Sequence, residues 1–126
     1  MTEVAQAQEL VQQWRCLAER YATVFCALER ALHDEHGLGV SDFEVLDRLA
    51  EVDPKLRIQE LAELVHLSQS ALSRVVARLE REELVCRSMC AEDRRGIYVR
   101  ISEAGQAKHA AARDTQRRVL AATLAP

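Results

Sequence analysis

The sequence predicts a mainly α-helical domain with one small β-hairpin, held between a long N-terminal helix and a C-terminal helix. Three observations lead there. From Glu3 to His36 there is neither proline nor glycine, and Leu10, Trp14, Leu17, Tyr21, Val24, Leu28 and Leu32 recur at helical spacing. Two further helical segments, residues 58–65 and 69–80, are separated only by His66-Leu67-Ser68. Residues 97–101 then alternate as a strand does, with Ile97, Val99 and Ile101 expected inward and Tyr98 and Arg100 outward.

Each element carries its own signals. The first helix would be about 50 Å long, more than the rest of so small a domain can cover, and this length calls for a partner chain. Gly37-Leu38-Gly39 ends it. A second helix is expected from Ser41-Asp42 through Leu49, with Ser41 as N-cap, Glu44 completing a capping box, and Phe43, Leu46 and Leu49 facing inward. Asp53-Pro54 closes it. In the next helix Ile58, Leu61, Ala62 and Val65 form the inner stripe; in the one after, which Ser68 is placed to cap, Leu72, Val75, Val76 and Leu79 do. Helical phase then turns Gln69, Ser70, Ser73, Arg74, Ala77, Arg78 and Arg81 outward, with no acid before Glu80. Such a face suits an anion. Residues 84–90 and 96–101 read as two strands around the charged turn Ala91-Glu-Asp-Arg-Arg-Gly96, with Cys86 and Cys90 as small buried hydrophobes. Ser102 caps a last helix with Gly105 in its first turn and Ala107, Ala111, Val119, Leu120 and Leu124 as its apolar positions.

Composition bounds the function. The chain has 126 residues, 48% hydrophobic and 29% charged, which fits one folded domain. No apolar run approaches the roughly 18 residues of a membrane span, and MTEVAQAQEL lacks the order of a signal peptide, so a cytoplasmic protein with reduced thiols is expected. The net charge of -3 is unevenly spread: residues 1–53 carry eleven acids and four bases, residues 54–101 nine bases and seven acids. A basic middle within an acidic chain allows a local nucleic-acid face. Enzyme signatures are missing: there is no glycine-rich phosphate loop, His-Glu-x-x-His or Gly-x-Ser-x-Gly, and catalysis is not expected. No cofactor is called for, and no metal site is assigned. Cys26, Glu29, His33 and His36 share one sector of the first helix and could join His109, yet histidines commonly dress helix ends.

Two helices with a three-residue corner, followed by a hairpin with an Asp-Arg-Arg tip, describe a winged helix-turn-helix. With Leu67-Ser68-Gln69-Ser70, Leu72-Ser73-Arg74-Val75-Val76-Ala77-Arg78-Leu79-Glu80, Leu84-Val85, and above all Asp93-Arg94-Arg95-Gly96 running into Ile101-Ser102-Glu103-Ala104-Gly105, the sequence resembles the MarR family of bacterial transcription regulators over roughly residues 38–110. The resemblance implies a homodimer on a pseudo-palindromic operator, expected to repress. Residues 1–36 and 102–126 would dimerise, and 37–101 would bind double-stranded DNA. Ser68, Gln69, Ser70, Ser73 and Arg74 are then within reach of base edges or flanking phosphates, and Arg78 of backbone phosphate. By similarity Arg95 enters the minor groove, Asp93 supports it, and Arg94 and Arg57 are candidate phosphate contacts. Tyr98 is expected to pack the wing.

Members of that family commonly release DNA on binding a small ligand between the dimer helices and the winged domain. Trp14, Tyr21, Phe25 and Phe43 are the stacking surfaces available, each expected in the core. Cys16 lies near where peroxide-sensing relatives carry a cysteine, with Arg15 and Arg20 able to favour a thiolate, but without their tyrosines; packing at a dimer interface is its plainer role. Two departures stand out. Glu83 occupies the position before Leu84 where the family has a glycine in a left-handed turn. The chain also reaches Pro126 without the family's further interface helix, so a smaller interface is expected. The alternative reading is a winged-helix protein-interaction module without DNA binding.

Overall fold

A computed structural model of the chain describes residues 2–89 and 96–125. Eight elements follow in order: α1 (Glu3–His36), α2 (Val40–Glu51), β1 (Lys55–Arg57), α3 (Ile58–Val65), α4 (Gln69–Arg81), β2 (Val85–Met89), β3 (Ile97–Ile101) and α5 (Glu103–Thr123). The winged helix-turn-helix is thus the observed fold, with α3 and α4 as the two-helix unit and β2–β3 as the wing. Asp93, Arg94, Arg95 and Cys90 lie outside the described residues.

Helix ends follow local chemistry. Gly37 adopts a φ of 68° and closes α1 with its N–H on the His33 carbonyl, a left-handed turn that glycine makes without a Cβ penalty. Ser68 and Ser102 cap α4 and α5 as expected, their hydroxyls accepting from the N–H of Ala71 at 3.2 Å and Gly105 at 3.0 Å. The start of α2 differs. It begins at Val40, the N-cap is Gly39, and the Asp42 carboxylate accepts from the Gly39 N–H at 2.8 Å, so Ser41 and Glu44 lie inside the helix. Glycine supplies no capping oxygen, and the acid three residues on does the work from the other side.

The sheet has three strands in the order β1-β3-β2, all antiparallel, with Leu56 opposite Val99 and Val85 opposite Ile101. The strand at 55–57 was hidden in the sequence by its shortness and the proline before it. It ties the entry of the helix-turn-helix to the wing. Leu38, Phe43, Leu46, Leu61, Leu72, Leu79 and Val99 are almost fully buried where the helices meet the sheet, each leucine contributing roughly 2–3 kcal/mol by burial. Cys86 and Ile97, expected inward, are exposed: Cys86 follows buried Val85 and stands opposite exposed Arg100, on the outer face of the sheet, and Ile97 lies at the far end of the hairpin opposite exposed Met89.

α5 buries Gly105, His109, Ala112, Thr115 and Val119, not the expected Ala107 and Ala111, which are exposed. Its inner face is chosen by polar partners as much as by apolar ones. His109 stacks on Phe43 at 5.5 Å and meets Asp47 at 2.7 Å, while Thr115 meets the His36 ring at 2.7 Å. Arg118 pairs with Glu35 and Arg113 with Glu51, completing the attachment of α5 to α1 and α2. No helix among the described residues is long and apolar enough to cross a membrane.

Candidate nucleic-acid interface

The candidate surface is built by α4 and the wing. Leu72, Val75, Val76 and Leu79 turn one side of α4 into the core, so the opposite side must face solvent. Gln69, Ser70, Arg74, Arg78 and Arg81 are exposed there, with Ser73 and Ala77 half-buried at its edge. Ser68 closes the N-terminal end, its hydroxyl 3.2 Å from that of Ser70. The N-terminus of α4 adds positive potential at that end. Among the described residues, Arg74 makes one long contact from Nε to its own helix, at the Ser70 carbonyl 3.5 Å away.

Glu80, the acid at the edge of this face, is taken up by Arg87 of β2. The Arg87 Nε lies 2.7 Å from the Glu80 carboxylate, and Nη2 donates to the Ser73 carbonyl at 3.2 Å. One arginine therefore fastens the wing strand to α4 and offsets the negative charge beside it. The sequence held a hint in the single base on the 84–89 stretch, but its partners are fourteen and seven residues upstream and only the fold joins them.

Arg57 and Arg78, the expected phosphate contacts, each have partners within the fold. The Arg57 Nε donates to the Tyr98 hydroxyl at 3.0 Å and its guanidinium lies 5.6 Å from that ring, with Lys55 on the same ring at 4.5 Å. Tyr98 is a packing residue at the wing root. Arg78 donates from Nε and Nη2 to one oxygen of Asp42, at 3.1 and 2.5 Å. That hydrogen bond raises the guanidinium pKa above its ordinary value. Asp42, at 5% exposure, is a buried acid that sequence periodicity alone did not single out.

A cleft of about 350 Å³ opens between α1, α2 and the α3–α4 corner. Tyr21 and Phe25, stacked at 5.7 Å, line it together with Glu44, Arg48, Leu64 and Leu67. Of the four aromatic candidates only Phe43 is core; Tyr21 and Trp14 are exposed and Phe25 is half-buried. The Arg48 Nε is buried with no hydrogen-bond partner among the described residues, and burial pushes the Glu44 carboxyl up, Asp47 adding to the rise and Arg48 opposing it.

The remaining candidates are scattered. Cys16 and Cys26 are exposed on α1. Glu29 bonds the Val40 N–H, His36 meets Thr115 and His109 meets Asp47, so those three groups are committed elsewhere than to a shared ion with Cys26 and His33. Asp47, Glu51 and His109 do cluster within 4.8 Å, but Arg113 already stands against Glu51 at 3.4 Å and supplies the positive charge.

An exposed cationic helix face beside a β-hairpin, on a scaffold with one helix running far past the core, defines the class: a winged helix-turn-helix protein with flanking helices. The sequence model of the MarR family matches residues 38–97, which span α2 to the start of β3. The HTH-type transcriptional regulator MhqR of Bacillus subtilis is 28% identical over 89 residues, 71% of this chain and 60% of its own length. The chain thus spans under two thirds of that relative. A MarR family transcriptional regulator from Streptomyces coelicolor, solved in complex with DNA, is 27% identical with a TM-score of 0.84, covering 98% of this chain and 75% of its own. The transcriptional regulator BldR from Sulfolobus solfataricus is 25% identical with a TM-score of 0.85, over 98% and 86%. The chain is thus similar in sequence to the MarR family over residues 38–97, and in fold to a solved member of that family over 98% of its length.

Proposed function

We propose that the chain is a sequence-specific DNA-binding transcriptional regulator, acting as a repressor. It would work as a homodimer on a pseudo-palindromic operator and be released by a small ligand. The observation that carries this reading is the outer face of α4, where Ser68, Gln69, Ser70, Ser73 and Arg74 converge with no unneutralised acid among them. The likeness to a regulator solved on DNA supports it. In this reading those residues meet base edges and flanking phosphates in the major groove. Arg95 enters the minor groove with Asp93 in support, and Arg94 and Arg57 approach the backbone.

The dimer is supported by Leu10, Trp14, Leu17 and Tyr21, a solvent-facing apolar stripe at 64–68% exposure. A surface of that kind on a helix is one a second copy can cover. The aromatic-walled cleft, with an unsatisfied buried Arg48 nitrogen, suits a small anion carrying a ring. Binding there would touch α1 and the α3–α4 corner together, which gives a ligand leverage over the spacing of two reading helices about one DNA turn apart.

Selection from random duplexes with the reduced homodimer at moderate salt tests this. A two-fold symmetric motif with half-sites about ten base pairs apart is the expected result. No enrichment would remove the DNA reader and leave a winged-helix protein-interaction module. Peroxide treatment of the wild type and of Cys16→Ser on the selected duplex tests the thiol-sensor variant, which requires release of the first and not the second.

A further inference from the structure

We infer that Arg78 is a positioning residue, locked by Asp42 so that α4 keeps a fixed angle to α2 and α1, in place of the phosphate contact its outward position suggests. The inference rests on the DNA-binding reading above and concerns how that surface is held.

Three helices meet at one point. Glu29 of α1 accepts from the Val40 N–H at 3.3 Å, at the first residue of α2. Asp42 accepts from the Gly39 N–H through Oδ2 at 2.8 Å and from Arg78 of α4 through Oδ1. Burying a carboxylate to 5% exposure is costly unless its oxygens find partners. The α2 N-terminus and the guanidinium provide them, the first through its partial positive charge and the second through two charge-assisted hydrogen bonds. Gly39 leaves room for this: a Cβ there would lie 3.0 Å from the Glu29 carboxylate and 3.4 Å from Asp42.

The consequence for DNA is mechanical. Arg78 sits two turns beyond Ser70, about 12 Å along the axis. A tilt of α4 by about 10° about that anchor would shift the reading groups by about 2 Å, beyond the sub-ångström tolerance of a bound constellation. A guanidinium whose charge is already met by Asp42, with Glu29 and Glu82 nearby as further acids, has little left to displace counterions from phosphate. Arg74 and Arg81, exposed and without such a carboxylate partner among the described residues, are better suited to that task.

The test compares wild type, Asp42→Asn, Arg78→Gln, Arg78→Lys and the Asp42→Asn/Arg78→Gln double variant. Two duplexes serve as probes: the sequence wild type selects, and a scrambled one of equal length and composition. Each single variant is expected to weaken binding to the selected duplex about tenfold or more while changing the scrambled one less than about twofold. The double variant should be no worse than the singles, and the salt slope should be unchanged. Arg78→Lys keeps the charge and so remains informative where Gln unfolds the chain; a single ammonium cannot reproduce the Nε and Nη2 pair and should fail like Gln. A phosphate contact gives the opposite pattern: Arg78→Gln flattens the slope by about 0.9 and weakens both duplexes alike, Arg78→Lys behaves as wild type, and Asp42→Asn is neutral or tighter because it frees the guanidinium. That pattern overturns the inference. Failure of wild type to select any sequence overturns the DNA-binding reading and this one with it.

Discussion

Glu83 is a residue whose neighbours force it into a conformation its side chain disfavours. Its φ is 62°, in the left-handed region, and the Ser102 hydroxyl donates to its carbonyl at 2.7 Å and fixes the peptide. The left-handed turn expected of a glycine is therefore kept with glutamate, at a cost of roughly 1–2 kcal/mol. Glycine at this exposed position would relieve that cost and lose about 0.5–1 kcal/mol to unfolded-state entropy. Glu83→Gly is expected to stabilise the fold by about 0.5–1 kcal/mol, read as a higher urea midpoint, and an unchanged or lower midpoint would show that Glu83 repays its strain elsewhere. Glu44 offers a second residue-scale test, through pH. Its carboxyl is raised by burial above its ordinary value of 4.5, so the proton is held more tightly in the folded than in the unfolded chain. The associated stability is present below the ordinary value and is lost as pH rises through the folded one. Glu44→Gln, which cannot ionise, should therefore melt higher than wild type at pH 7 and alike at pH 4. A gap that persists at pH 4 would assign the effect to packing.

At the scale of elements, the docking of α5 on the wing root depends on the absence of one side chain. A Cβ on Gly105 would stand 2.1 Å from the Leu84 carbonyl oxygen and 2.8 Å from Ile101 Cγ1, where the Ser102 N–H and hydroxyl already hold that same carbonyl at 3.0 Å. Helix propensity favours alanine over glycine by about 1 kcal/mol, but backbone cannot yield as a flexible side chain does. Gly105→Ala is expected to destabilise by about 3 kcal/mol in urea denaturation; a loss under about 1 kcal/mol would mean that α5 can slide on the hairpin. Which elements were legible follows the same physics. α1, α3 and α4 are marked by unbroken periodicity and by Gly37, His66-Leu67-Ser68 and Ser68, all local signals, and their limits match those read from sequence to within a residue. β1 has three residues and exists because β3 pairs with it, so no local pattern announces it. The inner face of α5 was misread because His109 and Thr115, polar in any hydropathy pattern, are buried by Asp47 and His36 from other helices. Arg87 and Asp42 belong to the same kind, since their roles arise from partners far along the chain.

For the whole molecule, the unsupported half of α1 sets the argument. From Glu3 to Thr23 every residue except Ala5 is exposed, and among the described residues this stretch is tied to the rest of the fold by Arg20 Nη2, which donates to the Leu124 carbonyl at 3.0 Å. A helix of that length has little stability alone in water, since most helical stability comes from packing of an apolar face. The stripe of Leu10, Trp14, Leu17 and Tyr21 is such a face with nothing on it in a single chain. If a second copy covers it, association and helix formation are one event, and the fold of the first five turns depends on concentration. Dilution of the wild type through its dimer dissociation range should then lower the 222 nm ellipticity together with the sedimentation coefficient. Leu17→Glu, which would place a carboxylate in the apolar seam, should move that range upward by at least about tenfold in concentration, while α2 to β3, whose core Leu17 does not enter, keeps its melting transition. Loss of affinity for a two-fold duplex should follow in parallel with loss of dimer, because each half-site reader alone forfeits the second set of contacts. A Leu17→Glu chain that sediments and binds as wild type would place the partner of α1 elsewhere on its surface, or in a different molecule.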